Sequence, residues 1–300
     1  MNKYLRMLII LTAFVSIGFP KAESVLGDGI ENLTYLPLIT NNYQAPVINR
    51  TNIVDITTFL EQCPNNDPLY SKLRSDFIIR IDGVVIGDIP CTEPVSSLTN
   101  DEYSSALEYL QAIRTTYYMD TGIPNLYPWT SMNLYNWMIS NVAGLNLKTD
   151  SGAYCCDVID GKKYVVIPNR HDLPPNLVLQ KNWNGISSSI GLLAHEIRHA
   201  AGGPGHTTGC AAFPNPGDPL GCDQDYDLAN LGSYGIQYWL GKSWSTGFIN
   251  VGINCAPDGG LNYAKWQVAN ANSMLYRFVQ NLPPTITLPP PPYGGSCLAP

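Results

Sequence analysis

Charged residues are scarce in this sequence, where they make up 14% of the 300 positions and leave a net charge of -7. We expect no nucleic-acid partner, because the chain has neither a basic cluster nor a long run of one charge sign. Apolar runs of about 20 residues, the length that spans a bilayer, are also missing. With 45% hydrophobic residues, the composition favours a folded body over a disordered chain.

The first residues have the pattern of an export signal. A short basic segment, residues 1–6, precedes an apolar run over residues 7–19, and small residues lie near its end at Gly18 and Ala22. This pattern predicts a secretory signal peptide over residues 1–22. We expect a secreted or extracellular protein with no stable membrane association after cleavage, or a cell-surface protein if the segment is retained.

Export changes the expected state of the eight cysteines. An even number of cysteines in an oxidising compartment favours disulfides over free thiols. Proximity in the chain predicts two bridges, Cys63 with Cys91 and Cys210 with Cys222. The adjacent Cys155 and Cys156 are expected to pair with two different partners, because neighbouring residues rarely satisfy disulfide geometry.

Composition also predicts how the chain is divided. Residues 23–50 show no periodicity and are predicted to be a spacer, and residues 281–300 form a proline-rich tail that should be extended. The segment between them, residues 51–280, is long enough for one domain with a substantial core.

Short patterns predict both strands and helices within this domain. Two Asp-Gly turns between β-forming segments predict hairpins over residues 77–86 and 154–168. Residues 99–102 have the form of a capping box and predict a helix from about 100 to 118. Apolar spacing predicts further helices over residues 131–142, 228–240 and 263–279.

Residues 188–202 hold the motif with the clearest chemical meaning. His195, Glu196 and His199 form the pattern HExxH. At about 100° per residue, the two imidazoles lie one turn apart on one face of a helix, beside the carboxylate, and can share one Zn2+. The opposite face is apolar and consists of Ile190, Leu193, Ile197 and Ala200. That face should pack inward and leave the other free for chemistry.

Together with Gly202 and His206, this motif resembles the zinc site of the zincin metallopeptidases, and most of all the metzincin pattern HExxHxxGxxH. The resemblance implies that His195, His199 and His206 bind Zn2+ and that Glu196 is the general base. It also implies that Gly202 forms the turn that ends the helix.

The sequence departs from the metzincin pattern in two places. The third histidine, His206, comes one residue late, after an extra glycine within residues 202–205. The methionine downstream, Met274, falls in a predicted helix, whereas metzincins carry a methionine turn beneath the metal. Carboxylates are the rival third ligands, because zinc accepts oxygen and other zincins draw a carboxylate from a later segment. These rivals are Asp223, Asp225 and Asp227.

The resemblance implies an α+β, zincin-like domain with a small mixed sheet and several helices, stabilised by disulfides. It further implies a secreted zinc metallopeptidase that hydrolyses peptide bonds of a peptide or protein substrate, with Glu196 taking a proton from a metal-activated water. Zincins bind extended substrates along an edge strand, and residues 164–167 are either that strand or an ordinary core strand. Tyr226 or Tyr234 is near enough in sequence to stabilise an oxyanion.

Two other functions remain open at this point. A fourth protein ligand, for which Cys210 is a candidate, would close the site and indicate an exported, non-catalytic zinc-binding structural or binding protein. An open site could instead belong to a zinc hydrolase of non-protein amides. The isolated fourth histidine, His171, is expected at the surface.

Overall fold

A computed structural model of the protein describes residues 51–149, 151–170, 182–207, 221–223, 231–252, 261–274 and 277. The signal peptide at residues 1–22, the spacer at 23–50 and the tail at 281–300 lie outside these residues and stay predictions. No helix within the described part of the chain has the length and hydropathy needed to cross a bilayer.

The described residues form an α+β structure with seven α-helices and five strands. The helices are α1 Ile56–Glu61, α2 Tyr70–Asp76, α3 Ser104–Tyr118, α4 Leu134–Asn141, α5 Trp183–Ala200, α6 Ser233–Ser245 and α7 Leu261–Met274. The strands are β1 Ile78–Ile81, β2 Val84–Val85, β3 Gly144–Lys148, β4 Tyr154–Ile159 and β5 Lys162–Pro168. The expected α+β class with a small mixed sheet is therefore confirmed.

The five strands make one mixed sheet in the order β2-β1-β3-β5-β4. Strands β1, β3 and β5 run parallel, while β2 and β4 pair antiparallel with their neighbours. Both predicted hairpins are confirmed, and their turns use left-handed backbone at Asp82 and Gly83 and at Asp160 and Gly161. This conformation matches the twist of a tight hairpin and is the reason that Asp-Gly favours one.

The edge of the sheet next to the helix α5 is β4 and not β5. Residues 164–167 pair with β3 on one side and with β4 on the other, and all four are buried. The prediction that they bind an extended substrate is therefore wrong, because their main-chain hydrogen bonds are already used on both sides. Periodicity alone could not reveal this, since inner and edge strands can both be apolar.

The long helix α5 carries the HExxH motif and is defined at both ends. The side chain of Asn182 accepts a hydrogen bond from the main-chain N–H of Gly185 at 3.3 Å and caps the first turn. At the other end Gly202 has φ +75°, and the N–H groups of Gly202 and Gly203 donate to the carbonyls of His199 and Arg198. This pair of bonds closes the helix as expected for a glycine stop.

The apolar face of α5 packs inward as predicted. Ile190, Leu193 and Ile197 are all fully buried, and α5 contacts α3 and α6. The opposite face is only partly open, since only 6% of His195 and 5% of Glu196 is exposed while His199 is partly exposed. The expectation of a free polar face is therefore met only in part, because α6 and β4 both contact this helix.

Helix α3 starts later than its sequence predicted. It begins at Ser104, and its N-cap residue Tyr103 makes no side-chain capping bond; in the turn just before it, the carboxylate of Asp101 accepts the N–H of Tyr103 at 2.9 Å. The hydroxyl of Ser104 accepts the N–H of Asp101 at 2.8 Å. The true start is thus shifted, because Asp101 and Ser104 form the reciprocal pair that the prediction assigned to residues 99–102.

The disulfides confirm one prediction and correct another. Cys63 is joined to Cys91, as proximity suggested. Cys155 is joined to Cys156 itself, so the prediction of two different partners was wrong. The peptide bond between them is cis, which brings adjacent Cα atoms to 3.0 Å, much closer than a trans bond allows. Cys222 is also disulfide-bonded, and Cys210 lies outside the described residues.

Candidate metal centre

Three histidines from two segments converge on one point. His195 and His199 come from α5 and His206 from the loop that follows it. The Nε2 atom of His206 lies 3.1 Å from the Nε2 atom of His195 and 3.1 Å from that of His199. One ligand atom from each side chain lies within 4.8 Å of the others. The predicted third histidine therefore reaches the pair despite the extra glycine.

The spacing of these nitrogens fits a bound metal ion. Three imidazole nitrogens held about 2.0–2.1 Å from one tetrahedral ion would lie about 3.3 Å from one another. The two separations that involve His206 are 3.1 Å, close to this value, and all three ligand atoms lie within 4.8 Å of one another. Imidazole ligands suit zinc, copper, iron and nickel. The geometry thus defines a site that can hold a metal, without identifying which one.

A short antiparallel contact holds His206 in place. The next residue, Thr207, exchanges two main-chain hydrogen bonds with Cys222, of 2.8 and 2.7 Å. A side chain at Gly221 would overlap the Cβ of His206, so only glycine permits this close approach. The same contact brings Asp223 next to His206.

Each histidine has a further polar contact, and the partners lie in or next to α6. The pairs are His195 Nδ1 to Gln237 Oε1 at 2.8 Å, His199 Nε2 to Ser233 Oγ at 3.2 Å, and His206 Nδ1 to Asp223 Oδ1 at 3.4 Å. Asp223 is completely buried, and its other oxygen accepts the N–H of Gly235 at 2.8 Å.

Burial keeps two of the imidazoles neutral. It lowers the pKa of His195 well below the usual value, and the neighbouring rings of His206 and His199 lower it further. The pKa of His199 is also lowered, chiefly by burial and then by His206. Neutral imidazole is the form that binds a metal, so the apolar surroundings favour ligation.

Glu196 lies beside His195 on α5 and is held by the edge strand. Burial raises the pKa of Glu196 to about 7, and the main-chain N–H of Cys155 donates to its carboxylate and opposes this rise. A carboxyl group with a pKa near neutrality suits proton transfer in both directions. The contact also places β4 directly next to the site.

The ring of Tyr234 packs against two of the three histidines. Its ring centroid lies 4.5 Å from that of His195 and 4.8 Å from that of His206. Burial raises the pKa of Tyr234, so its hydroxyl remains a hydrogen-bond donor at neutral pH. The prediction that this tyrosine lies close to the histidines is confirmed, whereas Tyr226 lies outside the described residues.

The structure thus brings together the imidazoles of His195, His199 and His206, with Glu196 next to His195 on the same helix. Among the rival ligands, Asp223 lies behind His206 and not in the converging trio, while Asp225 and Asp227 lie outside the described residues. The residue that sequence reasoning missed is Gln237, 42 positions from the histidine it contacts. Its only signal was its spacing of four from Ser233 on one helix face, and such spacing is common.

A scan of the chain against protein-family models found no match, and neither did searches against curated proteins and solved structures. The function of this centre must therefore be inferred from its motif and its geometry.

Proposed function

We propose that the protein is a secreted zinc metallopeptidase of the zincin type, with Zn2+ held by His195, His199 and His206. The observation that carries the proposal is the convergence of the three imidazole nitrogens next to a buried glutamate. Three histidines are a common ligand set for catalytic zinc, which keeps its fourth position for water or substrate.

In this proposal Glu196 and Tyr234 have separate roles in peptide hydrolysis. Zinc, when bound, supplies a Lewis acid that polarises a carbonyl and makes water more acidic. With the metal bound, Glu196 would accept the proton from the attacking water and pass it to the leaving amine. The hydroxyl of Tyr234 is the group available to donate to the oxyanion as the peptide carbonyl is attacked.

The position of β4 supports a peptide as the substrate. This strand lies at the edge of the sheet, and its residue Cys155 contacts Glu196. The N–H of Cys155 is already used by Glu196, so an extended peptide would gain its main-chain hydrogen bonds from other residues of β4 and would lie close to the catalytic glutamate. The role first considered for residues 164–167 therefore passes to β4.

Metal content and turnover test the proposal separately. Wild-type protein should hold about one zinc per chain, measured by elemental analysis, and His195→Ala or His199→Ala should abolish it. His171→Ala is the matched control and should keep the metal. A wild-type protein that binds no zinc would refute the site.

Glu196→Gln should keep the metal but lose about 10²- to 10⁴-fold in cleavage of a quenched peptide library, because an amide cannot accept the proton. The exposed Glu102 provides a control, and Glu102→Gln should retain full activity. Undiminished turnover in Glu196→Gln would remove this residue from the mechanism.

One contact favours a second candidate, an exported zinc-binding protein without catalysis. The hydroxyl of Ser233 lies 3.2 Å from the Nε2 atom of His199, within reach of a fourth coordination position. If Ser233 is a ligand, Ser233→Ala should weaken zinc binding and the wild type should cleave no peptide. If the peptidase proposal is correct, the same variant should keep its zinc. Cleavage of non-protein amides in place of peptides would point instead to the third candidate, a zinc amidohydrolase.

A further inference from the structure

We infer that helix α6 positions the metal-binding histidines, with Gln237 orienting His195 directly and Asp223 orienting His206 from an anchor on α6. This inference rests on the proposed metal site and extends it to residues that do not touch the ion. Gln237 and Asp223 are positioning residues, since each acts through an imidazole.

Gln237 fixes which nitrogen of His195 is free for the metal. A neutral imidazole has one N–H group and one lone pair. The carbonyl oxygen of the Gln237 side chain lies 2.8 Å from Nδ1 and can only accept a hydrogen bond, so the proton is placed on Nδ1. The lone pair is then on Nε2, the atom that faces His206 at 3.1 Å.

Asp223 acts on His206 in the same way but through a longer contact. Its Oδ1 atom lies 3.4 Å from Nδ1 of His206 and has no hydrogen-bond partner among the described residues. Its Oδ2 atom is fixed by the N–H of Gly235 on α6. A buried carboxylate with one anchored and one available oxygen is suited to hold the N–H of a ligating histidine.

The packing around Asp223 leaves it little freedom to move. A Cβ atom at Gly232 would overlap the carboxyl group of Asp223, and one at Gly221 would overlap His206. Two glycines therefore shape the space in which this histidine and its carboxylate lie side by side. Gln237, which contacts His195, and Gly232 and Gly235, which contact Asp223, all lie in or next to α6. Both orienting contacts therefore form only when α6 is packed against the site.

Zinc affinity of the purified full chain, measured by competition with a chromophoric chelator, tests the inference. Gln237→Leu should weaken binding about 10- to 100-fold, the usual effect of removing such an outer partner. Gln237→Glu restores an acceptor and should bind at least as tightly as the wild type. Asp223→Asn can still accept the N–H of Gly235 but presents an NH2 group to His206, and it should also lose about 10-fold or more.

Gln267→Leu is the matched control for general damage. Gln267 is a fully buried glutamine of α7 that donates to Ser187 on the same helix α5, far from the histidines in sequence. It should leave zinc affinity unchanged, and the melting temperature of the apo protein records any general effect on the fold. The absorption spectrum of the Co2+-loaded protein should change in Gln237→Leu and remain that of wild type in Gln267→Leu.

The inference is wrong if Gln237→Leu and Asp223→Asn bind zinc as tightly as wild type, or if Gln267→Leu loses affinity to the same extent. Failure of the wild type to bind zinc would be a different result, since it would reject the metal site itself.

Discussion

Replacing Gly232 by alanine should lower both the stability of the fold and the zinc affinity, although Gly232 is not a proposed metal ligand. The backbone of Gly232 has φ -69° and ψ -179°, which alanine adopts without strain, so the effect is purely steric. The added methyl group would overlap the completely buried carboxyl group of Asp223. Overpacking of this kind costs about 1–3 kcal/mol, or about 2–4 °C in melting temperature for each kcal/mol in a domain of this size.

The variant should also lose part of the stabilisation that zinc gives, and this second loss of melting temperature should appear only when zinc is present. Zinc at 100 times its dissociation constant stabilises the folded protein by about 2.7 kcal/mol, and a 10- to 100-fold weaker affinity removes about 1.3 to 2.3 kcal/mol of this gain. Thermal unfolding with and without zinc separates the two effects. Gly205→Ala is the control, because its methyl group would meet nothing within 4 Å. An equal zinc-induced rise in melting temperature for Gly232→Ala and wild type would refute the reasoning.

Two further predictions concern buried charge away from the centre. Burial raises the pKa of Glu108, so the folded protein holds this proton more tightly than the unfolded chain and stability falls as pH rises above the ordinary value of 4.5. Glu108→Gln should therefore gain melting temperature over wild type at pH 8 but not at pH 4, and an equal difference at both pH values would contradict this. Arg114→Met should cost about 3–5 kcal/mol in denaturant unfolding, because it leaves Asp67 buried without the guanidinium that lies 2.7 Å away. The double variant with Asp67→Asn should recover part of that loss, and a single variant as stable as wild type would show that the ion pair does not stabilise the fold.

Much of the centre was predictable because its three histidines lie close together in the sequence. The interval from His195 to His206 spans twelve residues, and helix geometry with a glycine stop fixes most of their arrangement. The hairpins at Asp82 and Asp160 were predictable for the same reason, since two residues determine such a turn.

The features that were missed depend on contacts between distant segments. Strand β5 is enclosed because it pairs with β3 in addition to its hairpin partner β4, and the pairing with β3 leaves no mark in the strand's own pattern. The contacts of Gln237 with His195 and of Cys155 with Glu196 come from α6 and β4, and nothing near residues 195 and 196 encodes them. The bridge between Cys155 and Cys156 was missed because adjacent cysteines rarely satisfy disulfide geometry, and the identities of the two residues do not reveal an exception.

The three histidines differ in how far they are exposed, since His195 is buried, His199 is partly covered and 23% of the His206 side chain is exposed. A chelator would therefore meet His206 first. Because the neighbouring Thr207 is tied to Cys222 by two main-chain hydrogen bonds, removal of a bound ion should slow as that bridge is strengthened and quicken when it is broken.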